Sequence, residues 1–192
     1  ENGVLLRSLV ESDFTVTEND IEAQPVRFGN RAELDLPLSI QLVLDISHSM
    51  DEVVDEDTGD TALDIACQAV RDFVGQLKPR DRVGLIVFGD KAYLQLPFTR
   101  DVETARSLVG LMDVGMAGPR TAIGDAIGLA IKSFESSELD DRLLILLSDG
   151  SDTASKMTPI NAAFFNDTAT TEIYTIGVGD PGARGEDRVD FD

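Results

Sequence analysis

The chain has 192 residues, and its 16 basic and 36 acidic side chains give a formal charge of −20. That length suits one domain of ordinary size, whose core needs no disulfide or metal staple, and 42% hydrophobic with 27% charged residues is a globular composition. A pI near 4.2 excludes a nucleic-acid footprint and docking on anionic lipid, since both demand clustered Lys and Arg. One cysteine, Cys67, and one histidine, His48, exclude an internal disulfide framework and a zinc site built on Cys and His.

Apolar runs such as Leu143–Leu147 fall far short of the roughly 20 residues a membrane helix needs. The start, Glu1-Asn2-Gly3, has neither the basic nor the apolar part of a leader, and the chain stops at Val189-Asp190-Phe191-Asp192. It reads as a piece of a longer protein, with no membrane insertion by this piece and any anchor or transit signal outside it.

Residues 1–39 are polar, with short alternations such as Phe14-Thr15-Val16 and Val26-Arg27-Phe28. They predict small strands and turns, a β-rich N-terminal segment or the end of a preceding module. Ile40–Ile46 is a nearly continuous apolar strand broken by Gln41 and Asp45, the look of a strand buried on both faces. Thr61–Leu77 follows at helical spacing, with Thr61 and Asp64 as a capping box and Pro79 as the stop. Val83–Phe88 and Ala92–Leu96 are strands joined by a hairpin-like connection through Gly89-Asp90. Helices fit Val102–Met112 and Thr121–Phe134, and strands fit Leu143–Leu147 and Glu172–Val178, with a weak helical stretch from Pro159 between them. Strands alternating with helices predict an α/β fold over residues 40–180, a mostly parallel sheet covered on both faces with one antiparallel edge strand. Residues 181–192 read as a polar tail.

Ligand chemistry in such sheets gathers in loops at the carboxyl ends of the strands. Three loops there carry oxygen ligands. The first strand ends Asp45-Ile46-Ser47-His48-Ser49, the third helix starts at Thr121, and the strand at Leu143 ends Leu147-Ser148-Asp149-Gly150. Two carboxylates and three hydroxyls, all hard oxygens, suit Mg²⁺, with Mn²⁺ and Ca²⁺ as the other candidates. They leave a coordination position that an acidic group of a partner fills.

The pattern Asp45-x-Ser47-x-Ser49, Thr121 and Asp149 resembles the metal-ion-dependent adhesion site of von Willebrand factor type A domains. The similarity runs from about Ile40 to Gly179 and includes Asp81–Phe88, Thr121–Ile127 and Ile173–Gly179. Those stretches are most similar to bacterial envelope members, including the aerotolerance-type proteins that work with MoxR-type ATPases. The resemblance implies a Rossmann-like three-layer αβα fold that binds a protein partner through a metal ion. Ser47, Ser49 and Thr121 would bind the ion largely directly, Asp45 and Asp149 directly or through water, and a partner Asp or Glu would complete the shell. It also implies a cell-envelope location, periplasmic or membrane-anchored in the full-length protein. Two departures stand out: His48 replaces the usual Gly between the serines, and the final helix and edge strand of the family lie beyond these residues.

Other features have plainer readings. Cys67 sits on the apolar face of its helix as a small core residue, and His48 is an exposed loop residue. Gly124 and Gly128 are expected to permit close helix–sheet packing. The acidic run Asp51–Asp60 fails the EF-hand spacing, because a sixth-position Gly59 puts Val54 first, and reads as a solvated loop. Gly177-Val178-Gly179-Asp180-Pro181-Gly182 matches a dinucleotide fingerprint, but Pro181 and the polar residues after it offer no helix for a pyrophosphate. Asn166–Thr175 resembles a translated sequencing adapter, and part of it is expected to be foreign, with Ile173-Tyr174-Thr175 coinciding with a strand. A Ser-His-Asp hydrolase finds no Gly-x-Ser-x-Gly elbow. A haloacid-dehalogenase-like phosphatase using Asp45 would want a second acid where Ser47 stands. That phosphatase and a scaffold with a vestigial metal site are the alternatives to metal-dependent binding.

Overall fold

The structure, a computed structural model, describes residues 16–18, 21–23, 36–165 and 171–179. The chain divides into Glu1–Leu36 and Pro37–Asp192. In the first unit, β1 (Val16–Glu18) and β2 (Ile21–Ala23) pair antiparallel; the rest of residues 1–35 lies outside the described residues.

The second unit is organised by β3 (Ser39–Asp45), every residue of which is buried. Its alternating side chains feed two cores. Ile40, Leu42 and Leu44 join one apolar cluster and Val43 the other. Strand β3 pairs in parallel with β6 (Arg82–Phe88) on one side and β8 (Arg142–Ser148) on the other. Antiparallel β7 (Ala92–Thr99) and parallel β9 (Thr171–Gly177) complete the order β7-β6-β3-β8-β9. Helices α1 (Ala62–Val74) and α2 (Val102–Val109) cover one face; α3 (Ile123–Ser133) and α4 (Pro159–Phe164) supply the other core. This is the expected α/β sheet with one antiparallel edge.

Local chemistry explains most boundaries. The capping box of α1 is present: the Thr61 side chain accepts from the Asp64 N–H, and the Asp64 carboxylate accepts from the Thr61 N–H. Its apolar stripe, Leu63, Ala66, Val70 and Val74, faces the sheet, and each buried Leu or Val contributes about 1.5–3 kcal/mol. Helix α1 stops at Val74 rather than Leu77, with Gly75 as its C-cap and the chain tightening into i→i−3 bonds from Gln76 and Leu77. Gly110 likewise ends α2 at Val109, short of Met112. The third helix begins at Ile123 and tightens into a 3₁₀ turn, Phe134–Ser136. Strand β7 extends to Thr99 through Pro97, tolerated because it is an edge strand.

Other expectations are refined. The acidic run is folded as well as solvated: β4 (Val53–Asp55) pairs with β5 (Asp60–Thr61) around Gly59, whose φ is +78°. Cys67 flanks the core half-buried rather than lying inside it, and burial pushes its thiol up to about 11. Thr171–Thr175 belongs to β9, paired in register with β8; residues 166–170 and the Asp180-Pro181-Gly182 end of the dinucleotide match lie outside the described residues. Among the described residues no helix is long and apolar enough to cross a membrane.

Gln41 is a polar side chain in the middle of the sheet. Its Oε1 accepts from Ser133 Oγ at 2.9 Å and its Nε2 donates to the Leu42 carbonyl at 3.3 Å. A Cβ on Gly84 of the neighbouring strand would lie 2.7 Å from that Oε1, so Gly84 makes the room for it.

The two helix glycines correct the expectation of helix–sheet contact. Gly124 meets the Met157 backbone ahead of α4, and a Cβ added to Gly128 would meet nothing within 4 Å. Gly128→Ala is therefore expected to stabilise the chain by about 0.4–1 kcal/mol through the unfolded state. A urea midpoint that rises at unchanged slope checks it, and one that falls contradicts it.

Candidate functional site

The carboxyl ends of β3 and β8 lie side by side, because Leu44 pairs with Leu147. That register makes Asp45 and Ser148 cross-strand neighbours. Asp45 is fully buried, with Oδ2 accepting from Ser148 Oγ at 2.6 Å and Oδ1 from the Ser47 N–H at 2.9 Å. The chain then turns into a short 3₁₀ helix, His48–Asp51, with Met50 buried beneath it as an anchor. This turn places Ser47 and Ser49 on the same side, their hydroxyls 3.1 Å apart.

The remaining two residues close the cluster. Thr121 Oγ1 donates to Ser47 Oγ at 3.2 Å, and Ser49 Oγ donates to Asp149 Oδ1 at 2.9 Å. All five sequence-predicted residues thus sit in one hydrogen-bonded group, Asp45 joining through the Ser47 backbone. Ser47 and Thr121 are buried, Asp149 is half-buried and Ser49 is exposed, so the cluster opens to solvent at the Ser49–Asp149 side. His48 is exposed, held by its N–H on the Pro119 carbonyl at 3.1 Å.

The electrostatics are unfavourable as they stand. Burial pushes the Asp45 carboxyl up to about 6, against the lowering effect of its hydrogen bonds from Ser148 and Ser47, and the nearby Asp149 adds to the rise. Burial also raises Asp149, with the Ser49 hydroxyl opposing. Among the described residues no Lys or Arg pairs with either carboxylate. Two buried or half-buried acids with hydroxyls around them and no counter-ion fit a hard divalent cation. No group of three or more His, Cys, Asp or Glu gathers among the described residues, so any ion here would depend on the hydroxyls.

Ser148 is a participant that the pattern of acids and hydroxyls did not single out. With β3 and β8 in parallel register, Leu144, Leu146 and Ser148 share a face with Val43 and Asp45, a placement that follows only once the strand pairing is known.

Comparison with known proteins bears on the family and the fold. Residues 40–151 match the von Willebrand factor type A domain. An uncharacterized protein of Borreliella burgdorferi is 32% identical over 143 residues, 73% of this chain; the chain spans 40% of that relative's length. An aerotolerance-related membrane protein from Bacteroides fragilis superposes with a TM-score of 0.66 at 28% identity, over 80% of this chain and 77% of that one. The conserved hypothetical protein BatB from Bacteroides thetaiotaomicron gives 0.62 at 30% identity, over 75% and 68%. The chain belongs to the von Willebrand factor type A family.

Proposed function

We propose that this domain binds a protein partner through one divalent cation held by Asp45, Ser47, Ser49, Thr121 and Asp149. The family is one of protein-interaction domains, and the observation that carries the finer reading is the joined cluster of five oxygen-bearing side chains with two uncompensated carboxylates. Mg²⁺ is the ion of choice for such hard donors, with Mn²⁺ and Ca²⁺ as substitutes. The ion supplies a Lewis-acidic point that an Asp or Glu of the partner engages. The chain's own part is to hold the oxygens together, keep Asp45 away from water and leave the Ser49–Asp149 side open.

The likeness to an aerotolerance-related membrane protein supports a cell-envelope setting, and the aerotolerance-type resemblance supports a MoxR-type ATPase system as the source of the partner. The phosphatase alternative, which attacks through Asp45, is disfavoured by the same geometry. An attacking Asp45 would have to be accessible, whereas it is buried with both oxygens engaged.

Thermal unfolding with Mg²⁺, Mn²⁺, Ca²⁺ or EDTA tests the reading, on this chain and on Thr121→Ala. At 100 times its dissociation constant an ion that binds only the native state adds about 2.7 kcal/mol, a rise of roughly 5–10 °C for a domain of this size. The rise is expected in the parent and not in Thr121→Ala, and partner capture should fail in EDTA. A folded parent with no shift at millimolar Mg²⁺ or Mn²⁺ would overturn the proposal, and capture unaffected by EDTA would favour the scaffold with a vestigial site.

A further inference from the structure

Helix α3 begins without a cap of its own. Ala122 stands at its N-cap position and bonds nothing through its side chain, although first-turn N–H groups need acceptors from elsewhere. The loop after β8 provides them. Asp152 Oδ1 accepts from the Ile123 N–H at 2.9 Å, and Ser155 Oγ accepts from the Asp125 N–H at 3.2 Å. Ser155 Oγ in turn donates to Asp152 Oδ1, and Asp125 Oδ1 accepts from the Lys156 N–H at 3.0 Å.

The same loop grips Thr121. Thr153 Oγ1 accepts from the Thr121 N–H at 3.0 Å, while the Thr121 carbonyl accepts from the N–H groups of Thr153 and Ala154 at 2.8 and 3.1 Å. Both backbone polar groups of Thr121 are therefore committed to residues 153–154. Its hydroxyl is the one polar group left, and it is directed at Ser47.

We propose that Thr153 and Asp152 are positioning residues for the cation site. They fix where the Thr121 hydroxyl sits, and they tie it to the loop that carries Asp149, so that these two ligands are placed as one body. The inference rests on the cation reading proposed above. It differs from a purely structural role in one respect: a cap that only stabilised α3 would affect folding and leave the affinity of the folded chain for metal unchanged.

The test is Mn²⁺ binding to the full chain, read from the electron paramagnetic resonance signal of free Mn²⁺, alongside melting in EDTA. Thr153→Val keeps the shape and removes the acceptor; Thr153→Ser keeps the acceptor. Thr153→Val is expected to weaken Mn²⁺ binding about 10- to 100-fold, as losing the support of a metal ligand does, while remaining folded in EDTA. Thr153→Ser is expected to restore affinity to within about threefold of the parent. Asp152→Ala, which leaves Thr153 in place, carries the same expected loss and serves if Thr153→Val does not fold. Unchanged affinity in a folded Thr153→Val, or equal loss in Thr153→Ser, overturns the positioning role and leaves the cation site standing. No binding by the parent overturns both.

Discussion

Asp45→Asn is expected to raise the stability of the metal-free chain at pH 7 and to abolish its response to Mg²⁺. Burial holds the Asp45 carboxyl at about 6 in the folded chain, against an ordinary value of 3.8. The folded state therefore keeps a proton that the unfolded state releases between those two values. On this group alone, stability in EDTA is highest below about pH 4, falls as the pH rises toward 6, and carries the whole penalty at pH 7. At about 1.4 kcal/mol per unit that penalty is of order 3 kcal/mol.

Asn removes the charge and keeps the shape. Its carbonyl can accept the Ser47 N–H, and its amide can donate to Ser148 Oγ. A gain of about 1–3 kcal/mol in EDTA follows, or a few degrees for each kcal/mol. The difference between the two chains isolates Asp45, because a net charge of −20 makes both more stable as other acids protonate. That difference should shrink between pH 7 and pH 5. An Asp45→Asn chain that is less stable in EDTA, or that still responds to Mg²⁺, would contradict this account. On the cation reading proposed above, the domain would fold around an unfavourable buried charge that the ion relieves, giving up stability at the site in return for affinity.

The elements that place the site were legible because their signals are local. The apolar run into Asp45 predicts a doubly covered strand, and Asp45, Ser47 and Ser49 follow within four residues of its end. The capping box at Thr61 and Asp64 is read from four consecutive positions. What escaped was set by residues distant in the chain. Helix α3 is capped from Asp152 and Ser155, about 30 positions on, so no start signal lies next to Ile123. The Ser148–Asp45 bond depends on knowing which strands neighbour each other. The β4–β5 hairpin was hidden by its acids: strands of three and two residues carry too little apolar alternation to stand out. Apolar spacing continues through Leu77 and Met112, past the helix ends, where Gly75 and Gly110 stand as C-caps and lower the helix propensity.

Gly124→Ala is expected to cost about 3 kcal/mol or more, the upper end of what overpacking does. A Cβ there would lie 1.9 Å from the Met157 carbonyl oxygen and 3.0 Å from the Thr158 carbonyl carbon. Both partners in this clash are backbone, one in the first turn of α3 and the other just ahead of α4, so no flexible side chain can absorb it. Relief requires the 157–158 peptide to move away from α3. That peptide continues directly from Lys156, whose N–H is bonded to Asp125, and from the Asp152–Ser155 stretch that grips Thr121. The substitution should therefore lower the melting temperature in EDTA by roughly 6–12 °C and weaken Mn²⁺ binding in the protein that remains folded. Gly128→Ala, one turn further along the same helix, changes the same residue type where there is open space and should do neither. Equal melting temperatures for the two variants would mean that Gly124 is not in close contact with the Met157 backbone. A lower melting temperature with undiminished Mn²⁺ affinity would separate the packing of α3 from the placement of its threonine.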